Sequence, residues 1–266
     1  MDVNTIFQQF MLASQNYIQN RTAAVYLELT PQETFVGSAL CIAIEGRTFI
    51  ATAAHNFDGL SSRGRVTVFS ANRSSAVPLA VIAGNYRSNR AADTPDVAWL
   101  EIDQSSAASS DLVGIHVESI LMNHQLDSSF AYLITGFPRD LMRESKIGNH
   151  TNIVLPLVLY MTGISPHGNS GDDIVLDYQR QGIGPNGFGT MSEPHGMSGG
   201  GIWLIPSSTE NPSVWSPTNI RPIGITTRYF RSQNEVRGVR MQHWLQMLMD
   251  DLPELRSALK PLLSEA

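Results

Sequence analysis

Three short motifs of this chain contain the side chains that hydrolysis by a nucleophilic serine needs. The last motif, at 196–200, places Ser198 among glycines in the run Gly-Met-Ser-Gly-Gly. A serine on such a tight turn can hold its hydroxyl outward, because glycine neighbours leave space for an acyl group and accept positive φ. The backbone N–H groups of the turn can then point towards one shared position. The motif therefore indicates a nucleophile with its own oxyanion-binding amides.

Two upstream motifs supply the base and the acid that such a serine requires. His55 follows the apolar run 49–54, and Asp96 opens another apolar run, Val-Ala-Trp-Leu. Serine is a weak nucleophile unless an adjacent base takes its proton, and histidine titrates near neutral pH. A buried carboxylate fixes the imidazole tautomer and stabilises the imidazolium that forms. We therefore predict a catalytic triad of His55, Asp96 and Ser198.

Two other residues compete for these roles. Asp93 is the nearest rival for the acid, but it stands before a proline in a polar loop, whereas Asp96 directly precedes a strand-like run. Ser170 lies in a similar box, His-Gly-Asn-Ser-Gly. That box is followed by two aspartates instead of a second glycine and an apolar strand, and Asn-Ser-Gly is common turn chemistry. Asp96 and Ser198 are the favoured choices, with Asp93 and Ser170 as alternatives.

Together the three motifs resemble those of the chymotrypsin/trypsin-like serine peptidases. The matching residues are Thr-Ala-Ala-His at 52–55, Asp-Val-Ala at 96–98 and Gly-x-Ser-Gly-Gly at 196–200, in the order His, Asp, Ser. The resemblance extends over residues 22–250 and is strong at the motifs. It implies an all-β fold of two six-stranded antiparallel β-barrels, with the site in the cleft between them. No cofactor is expected, and no metal ion either, because none of the seven histidines has a second ligand at zinc spacing.

Short apolar runs with strand character fill most of the chain. Closely spaced runs of this kind, separated by turn-forming residues, favour β-barrels. We predict an N-terminal helix at 1–20, a first barrel at 21–110, a second barrel at 111–236 and a C-terminal helical segment at 237–266. The expected strands are 23–29, 35–44, 48–52, 65–70, 77–83 and 97–102 in the first barrel, and 114–121, 131–136, 154–162, 174–178, 201–205 and 222–229 in the second.

Amphipathic patterns predict the helices at the two ends. Apolar side chains recur at helical spacing between Ile6 and Tyr17 without a basic region before them, which favours a helix over a signal peptide. Leucines at alternating spacings of three and four continue from Met241 to Leu262, interrupted by prolines. Packing on the second barrel accounts for the first part of this stripe. The part after Pro253 is a candidate docking element for a partner.

Composition and charge indicate in which cellular compartment the protein works and which classes of partner it binds. The 266 residues carry a net charge of −6 and no block of Lys or Arg, which disfavours nucleic acid or an anionic membrane as partner. No apolar run approaches the roughly 20 residues of a membrane span. Cys41 is the single cysteine, so no intrachain disulfide can form, whereas secreted members of the resembled family usually carry several. These features predict a cytoplasmic protein of a compact, disulfide-free bacterial type.

The oxyanion hole and the primary pocket depart from the family pattern. The resemblance assigns the oxyanion hole to Gly196, Met197 and Ser198. Met197 stands where digestive trypsins have an aspartate that pairs with a newly cut N-terminus, so we expect packing of the methionine to hold the turn instead. Ser192 occupies the pocket position where trypsins carry an aspartate, which gives no support for cleavage after Lys or Arg.

The run 224–229 matches the strand that lines the primary pocket in the family. This match assigns substrate contacts to Thr226, Thr227, Arg228 and Tyr229. The last two replace smaller residues, and we expect them to narrow or cap the pocket.

These observations predict an intracellular trypsin-like serine endopeptidase that cleaves a dedicated protein substrate through an acyl-enzyme. An operon-encoded partner is expected by analogy alone. The alternative is a regulatory or binding protein on a peptidase scaffold, with a pocket that is closed or gated by a partner through the glycine-rich segment 182–196.

Overall fold

A computed structural model of the chain is dominated by two antiparallel β-sheets, with helices at both ends. The structure describes residues 3–28, 33–58, 60, 65–71, 76–85, 94–122, 124–147, 150–166, 173–184, 187–206 and 216–264. Its α-helices are α1 (Val3–Gln19), α2 (Gln104–Ala108), α3 (Met241–Asp251) and α4 (Arg256–Ser264). The described helices include none that is both long and apolar enough to cross a membrane.

The first sheet carries the His55 and Asp96 motifs. Its strands are β1 (Thr22–Glu28), β2 (Glu33–Ile44), β3 (Arg47–Thr52), β4 (Arg65–Ala71), β5 (Ala76–Leu79), β6 (Val81–Asn85) and β7 (Ala98–Ile102). They pair in the order β5-β4-β1-β2-β3-β7-β6, and a short strand, β8 (Ile115–His116), pairs in parallel with β2. Strands β4 and β6, from opposite sides of this order, contact each other, so the sheet is nearly closed.

The second sheet leads into and out of the Ser198 turn. The later strands are β9 (Ala131–Gly136), β10 (Arg143–Ile147), β11 (His150–Val154), β12 (Val158–Thr162), β13 (Asp173–Asp177), β14 (Gln181–Gly184), β15 (Gly187–Thr190), β16 (Gly201–Ile205), β17 (Arg221–Phe230) and β18 (Glu235–Arg240). Eight of them pair in the order β13-β18-β17-β16-β9-β12-β14-β15, whereas β10 and β11 form a separate hairpin. This sheet forms a half-barrel that faces the first sheet.

Alternation along β1 illustrates how the sequence supports two barrel-like sheets. Val25 and Leu27 pack into the apolar cluster inside the first sheet, whereas Ala24 and Tyr26 face a larger cluster that also contains residues of the second sheet and the helices. Successive side chains of a strand point to opposite faces, so a strand that is apolar at every position is buried on both faces. The apolar run at 23–27 therefore lies between two cores.

The predicted all-β fold class with two barrels is confirmed, and each large sheet has eight strands among the described residues instead of six. Two predicted strands are each divided. The run 77–83 breaks between Leu79 and Val81, and the run 154–162 breaks at 155–157, where Pro156 cannot donate to a strand ladder. Strands β10, β14, β15 and β18 were not predicted, and of β11 only the last residue, Val154, lies in a predicted run. Strands β14 and β15 form a hairpin in the expected glycine-rich loop.

Two predicted boundaries also differ from the structure. The run 114–121 was expected to open the second barrel, but β8 pairs with β2 of the first sheet and a 3-10 turn follows it. The predicted helical segment at 237–266 begins with the end of β18, because the main chain stays in the ladder with β17 as far as Arg240. Helix α3 starts at the next residue, Met241.

The C-terminal helices pack against the strand that follows Asp96. The indole Nε1 of Trp244 in α3 donates to the carbonyl of Ala98 at 2.9 Å, and the indole of Trp99 donates to Asp251 at 2.8 Å. Leu255 and Leu259 are buried in the same core. The leucine stripe is therefore used within the chain, and docking of a partner through these helices stays a prediction.

Candidate active site

His55 and Asp96 meet because the strands on which they depend are neighbours. Thr52 at the end of β3 pairs with Ala98 at the start of β7, so the residues just beyond these ends lie side by side. His55 stands in the 3-10 turn after β3, and its Nδ1 lies 2.8 Å from Oδ2 of Asp96. The backbone N–H of His55 donates to Oδ1 of the same carboxylate at 3.0 Å.

This pairing determines which nitrogen of the His55 imidazole carries a proton. Asp96 is buried, whereas 30% of the His55 side chain is exposed. Because a carboxylate accepts the Nδ1 proton, Nε2 becomes the nitrogen that can take a proton from a hydroxyl in the cleft. The predicted base and acid are therefore brought together. Asp93, the rival acid, lies outside the described residues.

The Ser198 turn requires glycine at two positions. Gly196 and Gly199 have φ of +91° and +88°, in the left-handed region that other residues avoid. A Cβ at Gly199 would also overlap the carbonyl of Ser38 and the hydroxyl of Thr52. The second sheet thus presents its turn directly against the backbone of the first sheet. Ser170, the rival nucleophile, lies outside the described residues.

The carbonyl groups of the turn are held by donors from other elements. Ser38 in β2 contributes most, because its N–H and its hydroxyl both donate to the turn and its hydroxyl also accepts from the N–H of Phe137 at 2.8 Å. The bonds to the turn are Arg139 N to His195 O at 2.7 Å, Ser38 Oγ to Gly196 O at 2.8 Å, Thr226 Oγ1 to Met197 O at 2.6 Å, and Ser38 N and Asn56 Nδ2 to Ser198 O at 2.8 and 3.1 Å.

Two amides of the turn are left to face a ligand. Within the described part of the chain, the N–H groups of Gly196 and Ser198 donate to no protein acceptor. The N–H of Met197 differs, because it donates to the carbonyl of Pro194 at 3.0 Å. Met197 is therefore removed from the predicted oxyanion donors. Its side chain is buried in the core of the second sheet, which agrees with the expectation that packing holds the turn.

His55 and Ser198 line one cleft of about 940 Å³. The Ser198 hydroxyl donates to the backbone carbonyl of Thr227 at 3.3 Å. Thr227 sits where the register of β17 against β18 shifts, a bulge of the kind that re-aims groups beside active sites. At Thr226 this other edge of β17 is bonded to the Ser198 turn, since its N–H donates to the Gly200 carbonyl at 2.8 Å and its carbonyl accepts from the Gly199 N–H at 2.7 Å. Beyond Thr226 the edge has no strand partner among the described residues, so an extended peptide can pair with it.

The predicted substrate-binding residues divide into two groups. Thr226, Thr227, Arg228 and Tyr229 all line the cleft. Ser192 does not line it. Its carbonyl accepts from the hydroxyl of Tyr178 at 2.8 Å, a bond that ties this segment to the core, and its own hydroxyl is buried without a hydrogen bond to a described residue. The cleft lining therefore does not support its assignment to the primary pocket, which stays a prediction.

Sequence reasoning missed the residues that support the turn. Asn56 directly follows the His55 motif, and its amide bridges Thr52 Oγ1, at 3.0 Å, and the Ser198 carbonyl. That adjacency was the available signal. Ser38 offered none, because one serine in an apolar strand does not reveal which distant turn it contacts.

Comparisons with known proteins bear on the fold. Neither the protein-family models nor the curated proteins contain a match to this sequence. Among solved structures, the chain is similar to the crystal structure of a thermostable serine protease, AL20, from an extremophilic microorganism. The identity is 14% and the TM-score 0.50, with 84% of this chain and 91% of that chain covered. At this identity the likeness shows the fold alone, which is a chymotrypsin-like double barrel.

Replacing Ser38 with alanine tests how much the turn depends on the first sheet. The substitution leaves the Gly196 carbonyl and the Phe137 N–H without their partner in a buried site, and unsatisfied buried groups cost about 1–3 kcal/mol. We expect Ser38→Ala to lower the free energy of unfolding by that amount in urea titrations.

Ser14→Ala is the matched control. Ser14 is also fully buried, but its hydroxyl donates at 2.8 Å to the Phe10 carbonyl within its own helix. A bond of this local type contributes little, so the control should lose clearly less stability. Equal losses of unfolding free energy in the two variants would show that the contact of Ser38 with the turn stabilises the protein no more than a local helix bond does.

Proposed function

We propose that this chain is a serine endopeptidase with Ser198 as nucleophile, His55 as general base and Asp96 as the carboxylate that orients the imidazole. The observation that carries the proposal is the 2.8 Å contact between His55 Nδ1 and Asp96 Oδ2 in the cleft that Ser198 lines. The serine-protease fold of the structural neighbour supports a protease scaffold. The residue roles rest on geometry and chemistry.

The proposed reaction proceeds in two steps. Ser198 Oγ attacks the peptide carbonyl carbon as its proton passes to His55 Nε2, and the carbonyl oxygen gains negative charge within reach of the Gly196 and Ser198 amides. His55 then gives the proton to the leaving amine, which breaks the C–N bond and leaves an ester on Ser198. A water molecule, deprotonated by the same base, hydrolyses this ester and regenerates the enzyme.

The substrate is proposed to be an extended stretch of a protein. The edge of β17 after Thr226, which has no strand partner among the described residues, supports this, because main-chain hydrogen bonds to such an edge bind peptides of varied sequence. Recognition of one dedicated protein, with an operon-encoded partner, belongs to the same proposal. Arg228, exposed on the rim of the cleft, is a residue that such a substrate would touch.

A cytoplasmic location is also part of the proposal. The support is the single cysteine, Cys41, which is fully buried in the first sheet. Burial raises the pKa of its thiol to about 12, so it is neither a reactive thiolate nor a ready partner for a disulfide. A fold that relies on no disulfide suits a reducing compartment.

One observation favours a second candidate, a binding protein on a peptidase scaffold. The contact that the Ser198 hydroxyl makes is with the carbonyl of Thr227, and not with the ring of His55. A serine fixed in this way would be unactivated. Catalytic hydrogen bonds often tighten only when substrate binds, so reactivity distinguishes the two candidates where geometry does not.

A fluorophosphonate probe should label one hydroxyl, that of Ser198. Such probes react with base-activated serines, so Ser198→Ala should abolish labelling when the intact protein is weighed by mass spectrometry. Ser170→Ala is the control and should label as the parent does. Labelling that survives Ser198→Ala would contradict the assignment, and an unlabelled but folded parent would favour the binding protein.

Substitutions of the base and the acid should slow acylation strongly. We expect His55→Ala and Asp96→Asn each to reduce the rate of fluorophosphonate labelling by about 10³–10⁴-fold, since one removes the base and the other permits the wrong imidazole tautomer. Asp93→Asn is the matched control for the acid and should change the rate less than tenfold. A severe loss in Asp93→Asn together with a mild one in Asp96→Asn would transfer the role to Asp93.

A further inference from the structure

The cleft beside Ser198 extends into the apolar interior of the second sheet. Ile134, Met197 and Val236 line the cavity, and they are 0%, 1% and 2% exposed. All three belong to the apolar cluster of the second sheet. Ser198 and Gly196 line the same cavity, so the side chain next to a reacting carbonyl has direct access to this buried end.

Charged side chains occupy only the outer part of the cavity. The residues with acidic or basic side chains that line it are partly or largely exposed: His55, Asp58, Arg139, Asp140, His195 and Arg228. The buried lining residues of the described chain carry no charge; they are Phe35, Asn56, Ile134, Pro194, Met197, Thr226, Thr227 and Val236. The buried end therefore offers no counter-ion to a charged group.

The buried carboxylate of Glu235, which neighbours Val236 in the chain, faces away from this end. Glu235 precedes Val236 in β18, and successive side chains of a strand point to opposite faces. Its Oε1 accepts from the hydroxyl of Ser165 at 2.6 Å, and its Oε2 lies 3.3 Å from Nη2 of Arg237. A ligand next to Val236 therefore cannot use the Glu235 carboxylate without breaking an existing pair.

One wall of the cavity is aromatic. Tyr229 packs against the cluster and meets Tyr178 edge to face, with ring centroids 5.5 Å apart. Tyr178 also contacts Tyr160 at 4.5 Å. Burial raises the pKa of Tyr178, which packs behind Tyr229, well above its ordinary value, so this supporting ring stays neutral at physiological pH. Neutral aromatic rings favour apolar and aromatic ligands.

From these observations we propose that the cavity binds an apolar side chain, aliphatic or aromatic, of the substrate residue that supplies the acyl group. Lys, Arg, Asp and Glu are rejected there, because a charge buried without a partner is strongly disfavoured. This specificity rests on the proposed function, since it concerns the residue that Ser198 acylates. It assigns Ile134, Val236 and Tyr229 as specificity-determining residues.

A panel of four peptidyl phosphonates tests the specificity. The probes share one peptide and differ only in the residue that carries the phosphonate: Met, Phe, Lys or Glu. Met and Lys have unbranched side chains of similar length, so this pair isolates the charge. We expect Ser198 to be labelled on the order of 10²-fold faster by the Met and Phe probes than by the Lys and Glu probes.

Two isosteric variants locate the effect at Val236. Val236→Asp places a carboxylate at the buried end, and we expect it to raise the ratio of Lys to Met labelling at least tenfold. Val236→Asn has the same size without the charge and should not raise that ratio. Where Val236→Asp fails to fold, as judged by circular dichroism, the panel on the natural sequence decides alone.

The outcomes separate this inference from the proposed function. Labelling by the Lys or the Glu probe within tenfold of the Met probe overturns the apolar specificity while leaving the peptidase intact. Labelling by a simple fluorophosphonate together with no reaction of any peptidyl probe also overturns it, because the cavity then accepts no side chain. If neither class of probe labels Ser198 in the folded protein, the proposed function itself fails.

Discussion

The contact between Ser38 and the Ser198 turn is the interaction on which the rest of the site depends. The proposed base and acid come from the first sheet, whereas the proposed nucleophile comes from the second. Ser38 joins the two through its N–H, which donates to the Ser198 carbonyl, and its hydroxyl, which donates to the Gly196 carbonyl. Its own carbonyl accepts from Thr52, close to His55 in the chain. This junction therefore holds the Ser198 turn next to the segment that carries His55.

Planarity of the peptide bond explains how these bonds orient the proposed oxyanion donors. In a trans peptide the C=O and the following N–H point in opposite directions. Fixing the His195 carbonyl with the N–H of Arg139 turns the Gly196 N–H the other way, and fixing the Met197 carbonyl with Thr226 does the same for Ser198. Both donors are thus set through the carbonyl before them. Donors that are fixed in advance need no reorganisation when charge develops.

The motifs and most strands were predictable because they are local patterns. His55, Asp96 and Ser198 stand at the ends of apolar runs, and 131–136 and 201–205 were predicted with the observed bounds. The strand β18 was missed because its sequence, Glu-Val-Arg-Gly-Val-Arg, looks like an exposed segment, although pairing on both sides buries Glu235. The roles of Ser38 and Arg139 could not be predicted from the sequence, since they follow from contacts between residues far apart in the chain.

For Thr226, too, the sequence did not reveal the contacts that the side chain makes with distant residues. The sequence suggested a substrate contact, and the residue does line the cleft, but its hydroxyl bonds to the Met197 and Gly200 carbonyls. A buried polar group of this kind stabilises only when each partner is present, so such networks act as units. A substitution in the first sheet can therefore disturb a turn in the second without touching a ligand. In this fold, the geometry of the cleft depends on buried polar contacts between the sheets, and the proposed apolar specificity depends on the apolar residues behind them.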